Sequence, residues 1–375
     1  MNRFQLWFPF TSSAIGINEN DLTNVHNRPF AKVLAQIHRE REWSCEQVYL
    51  TDRAESYSLQ GDMLSRFFPL SFRWRTAAHS YGYQWSIDAL LELLVRPPSA
   101  IAIFSAYGRF AKAVAFAAHA RRVPYLVIVG GWYQRISRSQ KWYFDHAYRV
   151  LVHTEMQKRA LTEIGYRASN IVVFPLGIDT DVFRPKVKSR SNKHPGPRVL
   201  YVGRLLPSKG TLEALQAFEV LKRRFPAASM KIVGPSGDDE FTTRLRGYTV
   251  DHHLQESVIF AGPVPYEELP TFYQEADIFL FPSPYEGLPS VVLESMACGT
   301  TPVVLKGSGG TEEAISNGED GWVIDAPCLA YEVLQIAGNI KRLKQSGERA
   351  SRKIQEIYSI QRTYGQLRQI LRELE

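Results

Sequence analysis

The sequence predicts an α/β protein with two Rossmann-like domains, and three observations support this class. The chain has 375 residues, which is long for one domain and suits two of roughly 180. Short apolar segments alternate with amphipathic helical segments, the pattern typical of parallel sheets. In the clearest unit, an apolar strand over 278–281 is followed by a loop, a helix over 290–299 and a second strand over 301–305. This order is a parallel βαβ unit.

The first half of the chain alternates in this way from its beginning. Each predicted strand is short and apolar, and the helix over 87–94 ends before Pro97-Pro98, as expected next to proline. The predicted strands cover 4–8, 47–51, 100–104, 125–129, 149–153 and 171–174, and the predicted helices cover 30–41, 87–94 and 108–121, with a further helix that begins at Thr154-Glu155.

The second half repeats the pattern after a polar, basic segment over 186–197, which predicts a linker. Strands are predicted over 198–203, 230–233, 258–260, 278–281, 301–305 and 321–324, and helices over 211–224, 267–276, 290–299, 330–345 and 361–374. The sequence also predicts a flexible turn over 307–310. We therefore expect a first domain over 1–185, a second over 198–350, and a C-terminal helical segment over 351–375.

Composition excludes several classes of protein. With 45% hydrophobic and 22% charged residues, the chain has no stretch of roughly 18 uncharged apolar residues that could span a bilayer. The first ten residues, MNRFQLWFPF, are too short and too aromatic for a signal peptide and predict a strand. Cys45, Cys298 and Cys328 are odd in number and far apart, which fits a cytoplasmic protein and argues against disulfides or a zinc site.

The net charge of +7 belongs to the first half of the chain. Residues 1–185 contain 22 Lys and Arg against 15 Asp and Glu, whereas residues 186–375 contain 23 of each kind. A basic half can face nucleic acid, an anionic membrane or an acidic acceptor, and it can equally be a solvated surface. Nucleic acid ranks last among these, because no DNA- or RNA-binding motif is present.

One segment, Ser65 to Arg75, interleaves aromatic residues with arginines. This mixture suits the interface of an anionic membrane, where rings enter the headgroup zone and guanidinium groups contact phosphates. It also suits an acceptor groove or a half-buried loop whose rings join the core, and the sequence does not decide among the three.

Two glutamates mark the candidate site. Glu286 lies in the loop after the strand over 278–281, and Glu294 lies eight residues later, about one turn inside the next helix. In open α/β sheets, ligands bind at the carboxyl ends of strands and against helix N-termini. The free amides there belong to Leu288, Ser290 and Val291 and favour an anion. In the simpler alternative, both glutamates are ordinary loop and surface-helix residues.

Glu286 and Glu294, within EGLPSVVLESMACGTTPVV, resemble the signature of the retaining glycosyltransferases of family 4. The resemblance implies the GT-B fold, in which two Rossmann-like domains face each other across a cleft and a C-terminal helix crosses back to the first domain. It covers residues 149–325 well, and residues 1–148 only through the order of elements.

A second pattern lies in the loop between the strand over 198–203 and the next helix. Arg204 and Lys209 bracket this loop, and a guanidinium fork, an ammonium group and backbone amides are what a diphosphate requires. They resemble the diphosphate-binding pair of the family, although they could also be two solvated charges. The family further implies that Val264 packs on the nucleoside base and that Gly16, the one glycine of its loop, approaches the diphosphate; Gly16 could equally be a plain turn glycine.

The sequence departs from the family at the end of the strand over 125–129. A histidine often stands there near the reacting sugar, but this chain has Gly130. The departure shifts attention to Trp132 and Tyr133 as acceptor-side residues. His119 and His146 are close in sequence, but both belong to predicted helices and are interpreted as ordinary helix residues.

The resemblance implies a retaining, metal-independent hexosyltransferase of glycan biosynthesis that needs no cofactor. Its donor would be a UDP- or GDP-sugar, and its acceptor a polysaccharide, glycan or lipid-linked molecule. Arg204, Lys209 and Glu286 would act in catalysis, and Glu294 would accept hydrogen bonds from the ribose. The basic first half favours a cytoplasmic location with peripheral membrane contact. Two alternatives remain: an inactive nucleotide-sugar-binding partner, and a phosphorylase or sugar-nucleotide hydrolase.

Overall fold

The computed structural model describes residues 1–11, 29–71, 84–105, 108–130, 137–186 and 195–375. The chain divides into two compact units, the first formed by Met1–Gly177 with Ile360–Glu375 and the second by Ile178–Ser359. Within the described ranges, no helix is both long and apolar enough to cross a bilayer.

The first unit is built on an eight-stranded sheet whose strands alternate with helices. Its strands are β1 (Arg3–Thr11), β2 (Ser44–Thr51), β3 (Tyr57–Gln60), β4 (Leu64–Pro69), β5 (Ala100–Ile103), β6 (Tyr125–Val129), β7 (Arg149–Val152) and β8 (Ile171–Val173). Its first helices are α1 (Pro29–Arg39), α2 (Ile87–Val95), α3 (Arg109–Ala120), α4 (Arg138–Asp145) and α5 (Glu155–Glu163). The strand order is β3-β4-β2-β1-β5-β6-β7-β8, and every pairing is parallel except β3 with β4.

The second unit is built on a six-stranded parallel sheet. Its strands are β9 (Arg198–Val202), β10 (Ser229–Val233), β11 (Val258–Gly262), β12 (Ile278–Phe281), β13 (Thr301–Leu305) and β14 (Trp322–Ile324). Its helices are α6 (Thr211–Arg224), α7 (Asp239–Asp251), α8 (Leu269–Glu275), α9 (Ser290–Ala297), α10 (Gly310–Ala314), α11 (Leu329–Ala337) and α12 (Ile340–Ile357). The strand order is β11-β10-β9-β12-β13-β14, and the strands read as apolar runs because helices cover both faces of such a sheet.

The unit boundaries differ from those expected from sequence. Residues 178–185 belong to the second unit: the amide of Ile178 donates to the carbonyl of Tyr358 at 2.7 Å, and Phe183 is fully buried in the core of that unit. The helix predicted over 330–345 is wrong, because the chain breaks at Gly338-Asn339 between α11 and α12. The side chain of Asn339 then caps α12 by accepting from the amide of Arg342.

The last helix, α13 (Ile360–Arg372), belongs to the first unit. Its apolar face joins the same core as α1 through Leu367 and Leu371. Arg368 forms an ion pair with Glu42 in that unit. The chain therefore returns to the first unit after Ser359, so the first unit is completed by residues from both ends of the chain.

The aromatic and arginine-rich segment is a strand over the part that the structure describes. Phe67 is fully buried and Phe68 nearly so, both in β4. Arg66 forms an ion pair with Glu92 at 2.9 Å and reaches Glu46 at 4.0 Å. Phe67 and Phe68 therefore join the core, as one of the three alternatives expected, but they do so in a strand and not in a loop; residues 72–75 lie outside the described ranges.

Candidate functional site

The strand order of the second sheet specifies where a ligand is expected. Strand β9 has β10 on one side and β12 on the other. The chain adds β10 and β11 on the first side and then β12, β13 and β14 on the second, so the order of strands reverses beside β9. Ligands of open α/β sheets bind outside the carboxyl ends of strands at such a reversal. The loops that follow β9 and β12 therefore frame the candidate site.

Lys209 and Glu286 meet at this point. Lys209 ends the short 3-10 turn Pro207–Lys209 that follows β9, and Glu286 lies in the loop that follows β12. The Nζ atom of Lys209 lies 2.6 Å from Oε1 of Glu286, with 23% and 12% of the two side chains exposed. The sequence predicted both residues as site residues, and the structure brings them into direct contact.

Ser283 is a further residue of this site that the sequence analysis missed. Its hydroxyl is buried and donates to the same Glu286 oxygen, Oε1, at 2.7 Å. The other carboxylate oxygen, Oε2, has no hydrogen-bond partner in the part of the chain that the structure describes. Glu286 is thus held through one oxygen, and the second can accept from a ligand. The signal was the Ser three residues before Glu286 in the same loop.

The backbone of Glu286 is held by the loop after β13. Its amide donates to the carbonyl of Ser308 at 2.9 Å, and its carbonyl accepts from Gly310 at 3.3 Å. Gly309 has φ +83°, and a Cβ there would lie 2.3 Å from the Glu286 carbonyl oxygen, so only glycine fits. The turn predicted over 307–310 follows β13, and hydrogen bonds join it to Glu286; its flexibility stays a prediction.

Gly210 makes a similar close approach at the start of α6. Its φ is +73°, and a Cβ there would lie 2.1 Å from the carbonyl oxygen of Pro282. The carbonyl of the preceding residue, Lys209, accepts from the hydroxyl of Tyr201 at 3.1 Å. These contacts fix the Lys209 backbone against both the end of β12 and the strand from which its own loop departs.

Helix α9 presents free amides beside Glu286. It begins at Ser290 after Pro289, as predicted, and the chain leaves it at Gly299, which has φ +78°. The amides of Leu288, Ser290 and Val291 have no acceptor within the described ranges of the chain. They are the amides that the sequence predicted for an anion, and the helix dipole adds to their positive potential.

Glu294 lies in a different environment, although it belongs to the same helix. Only 3% of the residue is exposed. The hydroxyl of Tyr273, which is fully buried, donates to Oε2 of Glu294 at 2.9 Å, and the side chain of Ser290 is a second partner. Burial raises the pKa of Glu294 to about 7, against the lowering effect of these two hydrogen bonds. The sequence analysis also missed Tyr273, for which there was no local signal.

Arg204 and Val264 occupy the expected loops without forming a further contact with the site. Arg204 is exposed, and no carboxylate lies within ion-pair distance of it in the described part of the chain. Val264 follows β11, is half-buried, and packs against the core of the second unit. The exposed guanidinium group of Arg204, in the same loop as Lys209, is therefore available to an anionic ligand.

Three predicted residues, Gly16, Trp132 and Tyr133, lie outside the described residues. Gly130, at the position where the family often has histidine, is exposed at the end of β6. A Cβ at Gly130 would meet no atom within 4 Å among the described residues. His119 and His146 are also exposed, and their rings lie 5.1 Å apart on α3 and at the end of α4.

Among the described residues, no group of three or more His, Cys, Asp or Glu side chains could hold a metal ion. The described residues place positive groups at the site in the side chains of Lys209 and Arg204 and in the amides at the start of α9.

Family models match both units. The model described as "Glycosyl transferase 4-like domain" matches residues 31–177, and the model described as "Glycosyl transferases group 1" matches residues 183–359. The chain belongs to the family 4 glycosyltransferases. Together the two matches cover most of the chain, so membership extends to the first half, where the sequence signature was weak.

Curated relatives of this family-4 chain include two kinds of transferase. It is 35% identical over 214 residues to the D-inositol 3-phosphate glycosyltransferase of Acidothermus cellulolyticus, a match that covers 54% of this chain and 47% of that protein. It is 35% identical over 164 residues to the GDP-mannose-dependent alpha-(1-6)-phosphatidylinositol monomannoside mannosyltransferase of Mycolicibacterium smegmatis, covering 40% and 42%. The chain thus spans about half the length of the curated relatives it matches.

Solved structures confirm the GT-B fold over the whole chain. HepE from Anabaena in complex with UDP superposes with a TM-score of 0.76 at 15% identity, covering 99% of this chain and 100% of that one. A glycosyltransferase from Rickettsia africae superposes with a TM-score of 0.77 at 17% identity, covering 100% and 98%.

Proposed function

We propose that the protein is a retaining, metal-independent glycosyltransferase that moves a sugar from a nucleotide diphosphate to a glycan, polysaccharide or lipid-linked acceptor. The observation that carries this proposal is the 2.6 Å contact between Lys209 and Glu286 at the carboxyl ends of β9 and β12. It joins a cation suited to phosphate and a carboxylate suited to sugar hydroxyls at the place where this fold binds ligands.

The diphosphate binds between the two loops and the start of α9. Arg204 supplies a planar fork of donors, Lys209 supplies an ammonium group with three donors, and Leu288, Ser290 and Val291 supply amides. These groups stabilise the charge that develops on the leaving diphosphate, which is the contribution that a metal ion makes in other enzymes.

Glu286 orients the sugar through its free oxygen. Oε1 is already bound by Lys209 and Ser283, so Oε2 accepts from a sugar hydroxyl. The amide of Leu288 donates to the same sugar. Because Lys209 retains donors after it binds Glu286, it can contact the phosphate while it holds the carboxylate in place.

Glu294 recognises the ribose, and Val264 packs on the base. The carboxylate of Glu294 is held by Tyr273 and accepts from the ribose hydroxyls in its ionised form. With a pKa raised to about 7 by burial, this contact strengthens as the pH rises through neutrality.

The reaction breaks the bond between the anomeric carbon and the diphosphate oxygen and forms a bond to an acceptor hydroxyl on the same face of the sugar. The hydroxyl proton moves to the leaving phosphate oxygen, so charge and atoms balance. This scheme needs no protein base, which is compatible with glycine at position 130.

The names of the relatives support the substrate classes that we propose. One of them is named for GDP-mannose and phosphatidylinositol monomannoside, another for D-inositol 3-phosphate, and a structural neighbour holds UDP. We extend this to a UDP- or GDP-sugar donor and a hydroxyl acceptor that is a glycan or is linked to a lipid, used at the cytoplasmic side of a membrane.

A panel of UDP- and GDP-sugars tests the proposal. We expect one donor to raise the melting temperature and to release nucleotide slowly. Arg204→Ala and Lys209→Ala should each lower kcat/KM by the equivalent of about 2–4 kcal/mol, as for loss of one donor to a developing oxyanion. The control is Arg244→Ala, an exposed residue of α7, which should have no effect. Full activity in both site variants would contradict the phosphate assignment.

Gly130 favours a second candidate, a nucleotide-sugar-binding partner without catalysis. In that case, a donor would stabilise the protein and no acceptor would produce turnover. Gly130→His would then separate the two candidates further, because a Cβ at this position would meet no atom within 4 Å among the described residues. Gain of turnover only in this variant would favour the inactive protein.

A further inference from the structure

The second unit contains a cavity at the amino-terminal ends of its parallel strands, whereas the site described above lies at their carboxyl ends. The cavity is about 380 Å³ in volume, within the range of roughly 300–1,000 Å³ that is typical of small-molecule pockets. We call it the α12 cavity, because it is formed by the first half of α12 together with the turn that precedes β14. The lining residues are Gly318, Glu319, Asn339, Lys341, Arg342, Gln345 and Arg349.

The position of this cavity separates it from the donor site. Gly318 and Glu319 come just before Trp322, the first residue of β14, so the cavity lies at the amino ends of the parallel strands. The Lys209–Glu286 contact lies at their carboxyl ends. A ligand in the cavity therefore does not occupy the donor site.

The lining is predominantly cationic and its cations are not neutralised. Lys341, Arg342 and Arg349 face one carboxylate, that of Glu319. In the described part of the chain, none of these three cations lies within 4.0 Å of a carboxylate, that of Glu319 included. Arg349 contacts only the backbone carbonyl of Glu319, at 3.5 Å.

Another cavity of the same unit shows the contrasting case. It is about 260 Å³ in volume and is lined by Arg198, Lys231 and Glu275, among others. There, Lys231 pairs with Glu275 at 2.9 Å, and Arg198 pairs with Asp277 at 2.9 Å. Its cations have protein partners, whereas those of the α12 cavity do not.

Two cations of the α12 cavity, Lys341 and Arg342, also oppose the dipole of the helix that carries them. Helix α12 contains six Lys and Arg but only two Glu, and its first turn has no acidic residue. Positive charges in a first turn oppose the helix dipole. Packing of Leu343, Ala350 and Ile354 in the core maintains the helix, so the cations are tolerated rather than required for folding.

The geometry of Arg342 is suited to a bound anion. Its guanidinium group lies over the ring of Trp322, 5.3 Å from the ring centre, and beside Gly318. The stacked position leaves the N–H fork without an acceptor from the described residues. Arg342, Gln345 and Arg349 have the i, i+3, i+7 spacing that places them on one face of α12, and Lys341 precedes Arg342 in the same turn.

We propose that this cavity is a binding site for a phosphate group. Lys341, Arg342 and Arg349 hold the phosphate, and the side-chain amides of Asn339 and Gln345 lie at the edge of the cavity. A guanidinium fork pairs with phosphate through two parallel hydrogen bonds, and Lys adds a point charge. The phosphate can belong to a soluble anion or to a lipid headgroup, since the chemistry is the same.

The test compares two double variants of the full chain that remove the same charge from the same helix. Lys341→Gln with Arg342→Gln changes the cavity, and Lys344→Gln with Arg352→Gln changes exposed cations of α12 that do not line it. The probes are inorganic phosphate, followed by calorimetry, and vesicles of phosphatidylcholine with and without phosphatidylglycerol, followed by sedimentation. Any phosphate bound at the donor site contributes equally to both variants.

We expect the cavity variant to bind at least tenfold more weakly and the control variant to stay within twofold of the unmodified protein. Loss of phosphate binding alone assigns a soluble anion, and loss of vesicle binding assigns a lipid headgroup. Equal losses in the two variants, or no binding of either probe by the unmodified protein, would overturn the proposal. Because Arg342 stacks on Trp322, Lys341→Gln with Arg349→Gln provides a second cavity variant that keeps this contact.

Discussion

Glu286 and Glu294 are eight residues apart in one motif, yet their surroundings are opposite. Glu286 is bound by the ammonium group of Lys209 and keeps one oxygen open. Glu294 is buried, and its partners are the neutral hydroxyl groups of Tyr273 and Ser290. A cation compensates the charge of the first, whereas burial makes the charge of the second costly. This difference is the basis on which we propose an orienting role for Glu286 and a pH-sensitive binding role for Glu294.

The largest effect should come from a substitution of Glu286. Glu286→Gln removes the partner of Lys209 and the charged acceptor for the sugar, so we expect kcat/KM to fall by the equivalent of about 2–4 kcal/mol. Its effect should not add to that of Lys209→Ala, because the two groups share one contact. A double-mutant cycle on donor turnover measures this, and full additivity would argue against a shared role.

A second effect should follow from the titration of Glu294. Its pKa in the folded protein, about 7, is above its ordinary value of 4.5. The folded state therefore holds the proton more tightly, and the free energy of unfolding should fall as the pH rises from about 4.5 to about 7. At roughly 1.4 kcal/mol per pH unit, this loss is on the order of 3 kcal/mol.

Glu294→Gln should abolish this loss, since the amide resembles the protonated acid. Denaturant unfolding at pH 5 and pH 8 checks it: the variant should be the more stable protein at pH 8 and should bind donor weakly at both values. Wild-type donor affinity should rise between pH 6 and pH 8. An identical pH dependence of stability in the two proteins would mean that Glu294 does not titrate in this range.

The smallest effect concerns the hydroxyl that holds Glu294. Tyr273→Phe removes one hydrogen bond to a carboxylate, worth roughly 1.5–3 kcal/mol, and should raise the pKa of Glu294 further. We expect a higher KM for the donor with little change in kcat, and a midpoint of donor binding displaced to higher pH. Tyr266→Phe is the matched control, because Tyr266 is a nearby tyrosine that forms no hydrogen bond with Glu294 in the described part of the chain. Equal pH profiles in the two variants would contradict this role for Tyr273.

The sequence predicted the elements that local chemistry specifies. Pro289 and Gly299 bracket α9, and the apolar runs at β6, β12 and β13 match the structure. It failed where pairing partners were distant in the chain. The hairpin of β3 and β4 was missed, because Phe67 and Phe68 are core residues only once β4 pairs with β2.

The residues of the candidate site divide in the same way, into those that a local pattern predicts and those whose contacts depend on distant parts of the chain. Arg204, Lys209, Glu286 and Glu294 were identified from two short patterns. Ser283 is next to such a pattern and could have been found. Tyr273 could not, since its contact with Glu294 depends on how α8 packs against α9. The anchoring of Glu286 by Ser308 and Gly310 likewise depends on two loops that the sheet brings together.

The contact between Gly309 and Glu286 has a consequence for engineering. The loop that carries Glu286 and the loop that carries Gly309 are joined by paired backbone hydrogen bonds, so they form one structural module although a helix and a strand separate them in the chain. A chimaera that exchanges residues 282–289 alone would combine one half of this module with a foreign half. Exchanges intended to alter sugar preference should therefore transplant residues 282–289 and 306–311 as a set.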